Sequence, residues 1–241
     1  MSQSQFVQYD LQDGVATLTL NDGAKNLMSP QMLAEINGAL DQAEKDSAVV
    51  LITGYEDILS AGFDLKVLKK GGQRALDMLN AGFALTTRML SFPTPIVIAC
   101  NGHAIAMGVF MLLSGDYRIG ASGPFKLVAN EVAIGMTMPA TAIQVCKQRL
   151  APAHFVRAVM QSEEYHPESA VEAGFLDRVV APEDLMSEAR ATALRLAKLD
   201  MNAYKRSKKR VRRQLIRALK RANRFDKWDL LWLGVKQMMG R

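Results

Sequence analysis

Two stretches of the chain decide its fold: LSAGFDLKVL at residues 59–68 and CNGHAIAMGVFMLL at residues 100–113. Each places small residues where the chain must turn, with bulky apolar residues on both sides. Glycine and alanine let a backbone approach a ligand closely. The first stretch comes shortly after a short apolar segment with the pattern of a buried strand, and the second begins at the last residue of another such segment. Sheets of α/β proteins bind ligands beyond the ends of such strands. The two stretches therefore predict two ligand-binding turns in an α/β domain.

The segments around the two turns alternate between strand and helix patterns. Buried strands of the parallel type are predicted for AVVLIT (48–53), TPIVIAC (94–100) and DYRIGA (116–121). Helical patterns cover about residues 73–90 and about residues 137–150. This order of elements is typical of the α/β class.

The start and the end of the chain complete this organisation. QFVQYDLQ and VATLTL alternate apolar with polar residues, and the pair Asp13-Gly14 supplies a hairpin turn between them. Ser29 is a candidate N-cap for a helix with Pro30 in its first turn. LDRVV predicts a short strand, and helical patterns fill the last 60 residues.

Composition restricts the class of protein. The chain has 241 residues, of which 49% are hydrophobic, so it can bury a sizeable core in one domain with or without a smaller appendage. Its apolar runs are too short for a membrane span, and MSQSQFVQYD lacks the features of a signal peptide. Cys100 and Cys146 are expected to be buried free thiols. We therefore expect a cytoplasmic protein.

The positive charge of the chain is concentrated at its end. Residues 201–241 hold 14 Lys and Arg against two acids, a balance of +12, whereas the first 200 residues hold 16 bases and 22 acids, a balance of −6. The segment KRSKKRVRRQLIRALKR can bind phosphate backbones nonspecifically, but it has no interleaved aromatic residues for base stacking. We favour a solvated amphipathic helix face that meets ligand phosphates or a neighbouring subunit over a nucleic-acid-binding helix.

Taken together, SAGFDLK and NGHAIAMGVF resemble the two turns of the crotonase (enoyl-CoA hydratase/isomerase) superfamily. The resemblance runs from VATLTLND to AGFLDRVV. It implies a spiral core of repeated ββα units over residues 1–184, followed by a helical C-terminal module over residues 185–241. It also implies homotrimers, which can pair into hexamers.

In that family, the two turns donate backbone N–H groups to the thioester oxygen of an acyl-CoA. The matching donors here are the amides of Phe63 and Met107. Ala106 and Met107 replace two glycines of the family's N-G-x-A-x-G-G-G pattern, and Gly108 keeps the third. A backbone donor does not require glycine, so the resemblance still implies an oxyanion hole.

The resemblance also implies which acids transfer protons. Family hydratases carry two glutamates; Glu131 in NEVAIGMTMP matches one, and Phe110 occupies the position of the other. Glu131 could also be a solvated acid in a loop. Its apolar neighbours in the sequence favour a buried carboxylate with a raised pKa. A single glutamate favours moving a double bond over adding water. Hydration, and a catalytically weak homologue that binds acyl-CoA or RNA, stay open.

The remaining expectations concern the substrate, whose coenzyme A is not a separate cofactor. Asp64 either orients the first turn or meets the ligand, and His103 is expected to be structural. Lys25 and Lys66 are either solvated or close to coenzyme A phosphates. No pattern indicates a metal site. The full set of implied substrate-binding residues is Lys25, Ala61, Gly62, Asp64, Lys66, Gly108 and Phe110.

Overall fold

The computed structural model describes residues 5–224 and 226. Its strands are β1 Val7–Gln12, β2 Val15–Leu20, β3 Val49–Thr53, β4 Ile58–Ser60, β5 Ile96–Cys100, β6 His103–Ile105, β7 Tyr117–Ala121, β8 Leu127–Val128 and β9 Arg178–Val180. Its α-helices are α1 Pro30–Lys45, α2 Leu65–Lys70, α3 Gly72–Ser91, α4 Met107–Leu113, α5 Ala140–Lys147, α6 Pro152–Met160, α7 Pro167–Ala173, α8 Leu185–Ala197 and α9 Met201–Val211. Residues 213–224 are also helical.

The strands form two sheets. Six strands pair in the order β1-β2-β3-β5-β7-β9, and only the β1–β2 pair is antiparallel. The other sheet has the order β4-β6-β8 and is parallel. Three strands of the large sheet, β3, β5 and β7, are each followed by one strand of the small sheet and then by a helix. This arrangement confirms the α/β prediction and the repeated ββα units.

Local sequence signals account for the first elements. Asp13 and Gly14 both have positive φ, +52° and +74°, as the tight turn between β1 and β2 requires. The side chain of Ser29 accepts a hydrogen bond from the amide of Met32, and Pro30 occupies the first turn of α1. The hairpin and the capped helix are both confirmed.

Helices cover both faces of the large sheet. Strands β3 and β5 are buried along their whole length. Leu185, Ala189 and Ala193 of α8 pack on one face, and the larger core cluster, which includes residues of α1, α3 and α4, lies on the other. Helix α8 starts at the expected boundary after residue 184 and packs directly on the sheet. The division of the chain into a core and a C-terminal module stays a prediction.

The last helices are attached to the core by buried charges. The carboxylate of Asp116 accepts hydrogen bonds from the amide of Ile96 at 2.8 Å and from Nζ of Lys208 at 2.6 Å. Arg212 pairs with the other oxygen of Asp116 at 2.9 Å. Two cations of the basic segment thus have structural roles. The prediction of a helical end is confirmed for the described residues up to 224 and for residue 226; residues 225 and 227–241 lie outside the described part of the chain.

Two details differ from the sequence prediction. The helix expected from about residue 137 begins at Ala140, because Pro139 has an extended backbone and serves as its N-cap. The short strands β4, β6 and β8 had no separate strand signal. Within residues 5–224 and 226, no helix is long and apolar enough to cross a membrane.

Candidate functional site

The first turn follows β4. Gly62 has φ +89°, a conformation that side chains disfavour. The segment beside it holds the turn in place: the amide of Met28 donates to the carbonyl of Gly62 at 2.8 Å, and the amide of Ala61 donates to the carbonyl of Lys25 at 3.0 Å. Ser60, which is fully buried, accepts a hydrogen bond from the Gly62 amide. The turn is thereby fixed by its backbone.

Asp64 ends the first turn and starts α2. Its carboxylate accepts hydrogen bonds from the amides of Lys66 at 2.8 Å and Val67 at 3.4 Å, which makes it the N-cap of this short helix. Asp64 thus caps α2 at the end of the first turn, and its contact with the ligand stays a prediction.

The second turn joins β6 to α4. Ala106 has φ +50° and ψ −119°, so an alanine holds a backbone conformation in which glycine is the usual residue. Its amide donates to the carbonyl of Val128 in β8 at 2.9 Å. A Cβ atom on Gly108 would lie 2.4 Å from the carbonyl oxygen of Ser60, so only glycine lets α4 approach β4 this closely.

The two turns lie directly against each other. A Cβ atom on Gly62 would be 2.9 Å from the Cβ of Ala106 and 3.3 Å from the amide nitrogen of Met107. The amides of Phe63 and Met107 donate no hydrogen bond to any described residue. Met107 is also the first residue of α4, where N–H groups lack a partner within the helix. Two neighbouring free donors can bind a negatively charged oxygen.

An apolar wall borders the two turns. The ring of Phe63 lies edge-on to Phe83 of α3, with centroids 5.9 Å apart, and Phe83 lies 6.5 Å from Phe110 of α4. A Cβ atom on Gly82 would be 2.5 Å from the Phe63 ring and 3.5 Å from Sδ of Met107. Sequence reasoning missed Gly82 and Phe83, because nothing within the long pattern of α3 distinguishes them from other core residues.

Glu131 lies three residues after β8, whose pairing with β6 brings this segment beside the second turn. Its side chain is only 6% exposed, and its Oε2 has no hydrogen-bond partner among the described residues. Burial raises the pKa of the Glu131 carboxyl to about 7. Cys146 of α5 is buried and free, and its pKa is raised by burial and then by the charge of Glu131. Glu131 is thus a buried carboxylate that can exchange a proton near neutral pH.

The other residues predicted from the sequence make few contacts with the two turns or with Glu131. Lys25 and Lys66 have exposed side chains, and neither forms an ion pair within the described part of the chain. Nδ1 of His103 accepts a hydrogen bond from the amide of Lys126, and its ring contacts Phe125. The structure brings together the residues of the two turns and the adjoining wall: Ala61, Gly62, Phe63, Met107, Gly108 and Phe110. The side chains of the two lysines are exposed near the first turn.

Known proteins share this arrangement of turns and sheets. A sequence model described as enoyl-CoA hydratase/isomerase matches residues 10–230. An enoyl-CoA hydratase/isomerase family protein from Pseudomonas syringae is 48% identical, with a TM-score of 0.92 over 93% of this chain and 98% of that chain. A probable enoyl-CoA hydratase of Mycobacterium tuberculosis is 26% identical over 185 residues, which cover 76% of this chain and 70% of that protein.

A further mycobacterial relative has been described in two ways. One structure of this M. tuberculosis protein is described as an enoyl-CoA isomerase, at 39% identity and a TM-score of 0.89 over 93% of this chain and 98% of that chain. Another is described as a probable enoyl-CoA hydratase, at 37% identity and a TM-score of 0.91 over 98% and 100% of the two chains. With the family match over residues 10–230, these likenesses show that the chain belongs to the enoyl-CoA hydratase/isomerase family of the crotonase superfamily.

Proposed function

We propose that the protein acts on acyl-CoA thioesters and moves a carbon–carbon double bond from the 3 to the 2 position of an enoyl-CoA. The thioester oxygen accepts hydrogen bonds from the amides of Phe63 and Met107. Both donors belong to backbone turns held by neighbouring strands, so little reorganisation is needed as negative charge develops on the oxygen. One such donor is typically worth about 3–4 kcal/mol in the transition state.

The observation that carries the isomerase proposal is the pairing of one buried acid with an aromatic residue at the second acid position. The carboxylate of Glu131 removes a proton from C2; the electrons of the C2–H bond form a C1–C2 double bond, and the carbonyl electrons of the thioester move onto its oxygen. When the carbonyl re-forms, the C1–C2 electrons form the C2–C3 double bond, and the C3–C4 electrons take the same proton from Glu131 at C4. Phe110 has no exchangeable proton, is 1% exposed and packs near Phe83, so its side chain cannot activate water.

The pKa of Glu131 sets the expected pH dependence. The carboxyl must be ionised to remove the proton from C2, and burial raises its pKa to about 7. The value of kcat/KM should therefore fall as the pH is lowered through about 7. Titration of an ordinary exposed carboxyl would place this midpoint several pH units lower.

Coenzyme A carries phosphate groups that need cationic partners or solvent. We propose Lys25 and Lys66 as candidate contacts, since Lys25 lies beside the first turn through its carbonyl and Lys66 lies in the first turn of α2. Both side chains are exposed, so their contribution is expected to be small and to weaken with salt.

Hydration is the second candidate, because a curated relative is named a probable enoyl-CoA hydratase. Hydration needs a base for water and an acid for carbon. Glu131 would have to serve both needs here.

The test compares a 3-enoyl-CoA with crotonyl-CoA and follows the absorbance of the conjugated thioester. We expect turnover of the 3-enoyl-CoA and slower loss of crotonyl-CoA. Glu131→Gln keeps the shape of the side chain but removes the base, so turnover should fall by roughly 10²–10⁴-fold with little change in substrate binding. Glu164→Gln is the matched control, because that carboxylate is half exposed and pairs with Lys126 at the surface.

Three outcomes count against the proposal. Full activity of Glu131→Gln would place the base elsewhere. Preferential turnover of crotonyl-CoA would establish hydration. Tight binding of both substrates without turnover would identify a catalytically inactive acyl-CoA-binding protein.

A further inference from the structure

The start of α5 is capped by a residue that lies far away in the sequence. The N-cap of this helix is Pro139, which offers no side-chain acceptor. Instead, the two carboxylate oxygens of Asp226 accept hydrogen bonds from the amides of Ala140 at 2.7 Å and Thr141 at 2.9 Å. These contacts join positions 86 and 85 residues apart.

The burial of Asp226 and the free amides at the start of α5 favour this pair of hydrogen bonds. Asp226 is 7% exposed, and a buried carboxylate is tolerated only where donors compensate for lost water. The N-terminus of a helix supplies both free N–H groups and a favourable dipole. The C-terminal helical segment thus gives α5 a cap that its own sequence does not encode.

The start of α5 also ends the segment that begins at Glu131. Val132, Ile134 and Met136 of this segment are 42%, 52% and 39% exposed, so their side chains bury little apolar surface. Its internal support consists mainly of backbone contacts, such as the Met136 amide with the carbonyl of Glu131 at 2.8 Å. Its middle is tied at one point, where the amide of Ala133 donates to Oγ of Ser162 at 3.1 Å, and its ends are fixed by β8 and α5.

Helix α5 approaches Glu131 from a second direction. Cys146 on this helix is fully buried and lies close enough for the charge of Glu131 to act on it. Helix α5 also packs against α4, which carries Phe110. A shift of α5 would thus change both the end of the Glu131 segment and the apolar surroundings of its carboxylate.

We propose that Asp226 is a positioning residue for Glu131: by fixing the start of α5, it holds the Glu131 segment in its working geometry. The inference rests on the proposed role of Glu131 as the proton-transferring group. It gives the C-terminal helical segment a part in the reaction that requires no contact with the substrate.

The test compares Asp226→Ala with Asp200→Ala in the full chain. Asp200 caps α9 through the amide of Ala203 at 2.6 Å, so both variants remove an aspartate cap from the same end of the chain. Each should lower Tm by about 2–4 °C. Only Asp226→Ala should lower kcat, by roughly 10- to 100-fold with KM changed less than about twofold, because small misplacements of a catalytic group have effects of this size.

The pH profile separates positioning from simple stability. If the Glu131 segment loosens, water reaches its carboxylate, and the midpoint of kcat/KM should move below about 7. Asp226→Asn keeps one acceptor oxygen and the side-chain shape, so it should retain intermediate kcat and serves if the alanine variant fails to fold. In the Glu131→Gln background, Asp226→Ala should cause little further loss.

An unchanged kcat in a folded Asp226→Ala variant would overturn the inference. A lower kcat with an unmoved pH midpoint, or an equal fall in Asp200→Ala, would also overturn it, since either result indicates only general destabilisation. Failure of the proposed function is distinct, because it would appear as an active Glu131→Gln protein whatever the behaviour of Asp226.

Discussion

Both turns contain a residue with positive φ, but their surroundings differ. The first leads into α2, which has no buried residue and is capped by Asp64. The second leads into α4, whose seven residues are all buried and which has no side-chain cap. The Phe63 donor therefore precedes a helix that buries no residue, although its ring packs against the core, whereas the Met107 donor starts a helix that is buried along its whole length.

Because of this difference, we expect substitutions in one turn to affect mainly turnover and substitutions in the other to affect mainly stability. Substitutions near the first turn can remove a donor while most of the core stays intact. Substitutions at the second turn alter core packing even where the donor survives. Variants in the two turns should therefore lose different properties.

The largest expected effect comes from removing the N–H of Phe63. Phe63→Pro deletes this donor, and Phe63→Ala deletes the ring but keeps the donor. The proline variant should turn over a 3-enoyl-CoA about 10²–10³-fold more slowly than the alanine variant, since one oxyanion donor is worth about 3–4 kcal/mol.

Leu65→Pro controls for the insertion of a proline into the same turn. Leu65 is the first residue of α2 and follows the extended residue Asp64, a position where proline is tolerated. Circular dichroism must show that all three variants are folded. Equal activity of the folded Phe63→Pro and Phe63→Ala proteins would show that this amide does not bind the transition state.

The next effect is a loss of stability at the second turn. Met107→Ala keeps the backbone donor but empties a fully buried site, which should cost about 2–5 kcal/mol of unfolding free energy in urea titrations. Leu65→Ala is the matched truncation beside the first turn, where the side chain is 53% exposed, and it should change stability by about 0.5 kcal/mol or less. Similar losses in both variants would contradict the contrast between the turns.

The smallest effect tests the strained alanine. Ala106 holds φ +50°, which costs a non-glycine residue about 1–3 kcal/mol, whereas glycine loses about 0.5–1 kcal/mol through greater freedom of the unfolded chain. Ala106→Gly should therefore be neutral or stabilising by about 1 kcal/mol, measured as a rise in Tm of up to about 4 °C. A clear fall in Tm would mean that the methyl group contributes packing that outweighs the strain.

Local signals predicted most of the large sheet and several helices. Alternation and Asp13-Gly14 predicted the hairpin, and Ser29-Pro30 predicted the start of α1, because each signal acts over a few residues. The small sheet could not be found in this way. Its strands have three, three and two residues, too few to show a period, and they exist through pairing with one another.

Some features of the candidate site could likewise be predicted from local sequence, and others could not. The glycine turns are visible in the sequence. The burial of Glu131 was predicted from its apolar neighbours, but Val132, Ile134 and Met136 are themselves exposed. The approach of Gly82 to the Phe63 ring, and of Asp226 to α5, joins residues that no local pattern connects. Long-range contacts of this kind follow from the packed fold and cannot be deduced from the spacing of residues.

The contact between Asp226 and Ala140 also bears on the order of folding. Closing a chain loop of 86 residues costs roughly 4 kcal/mol of entropy when the loop is flexible, so a contact this distant forms after the local and neighbouring-strand contacts that shorten the loop. The sheets can thus form before the start of α5 receives its cap. A refolding chain should regain its secondary structure first and its competence for chemistry later.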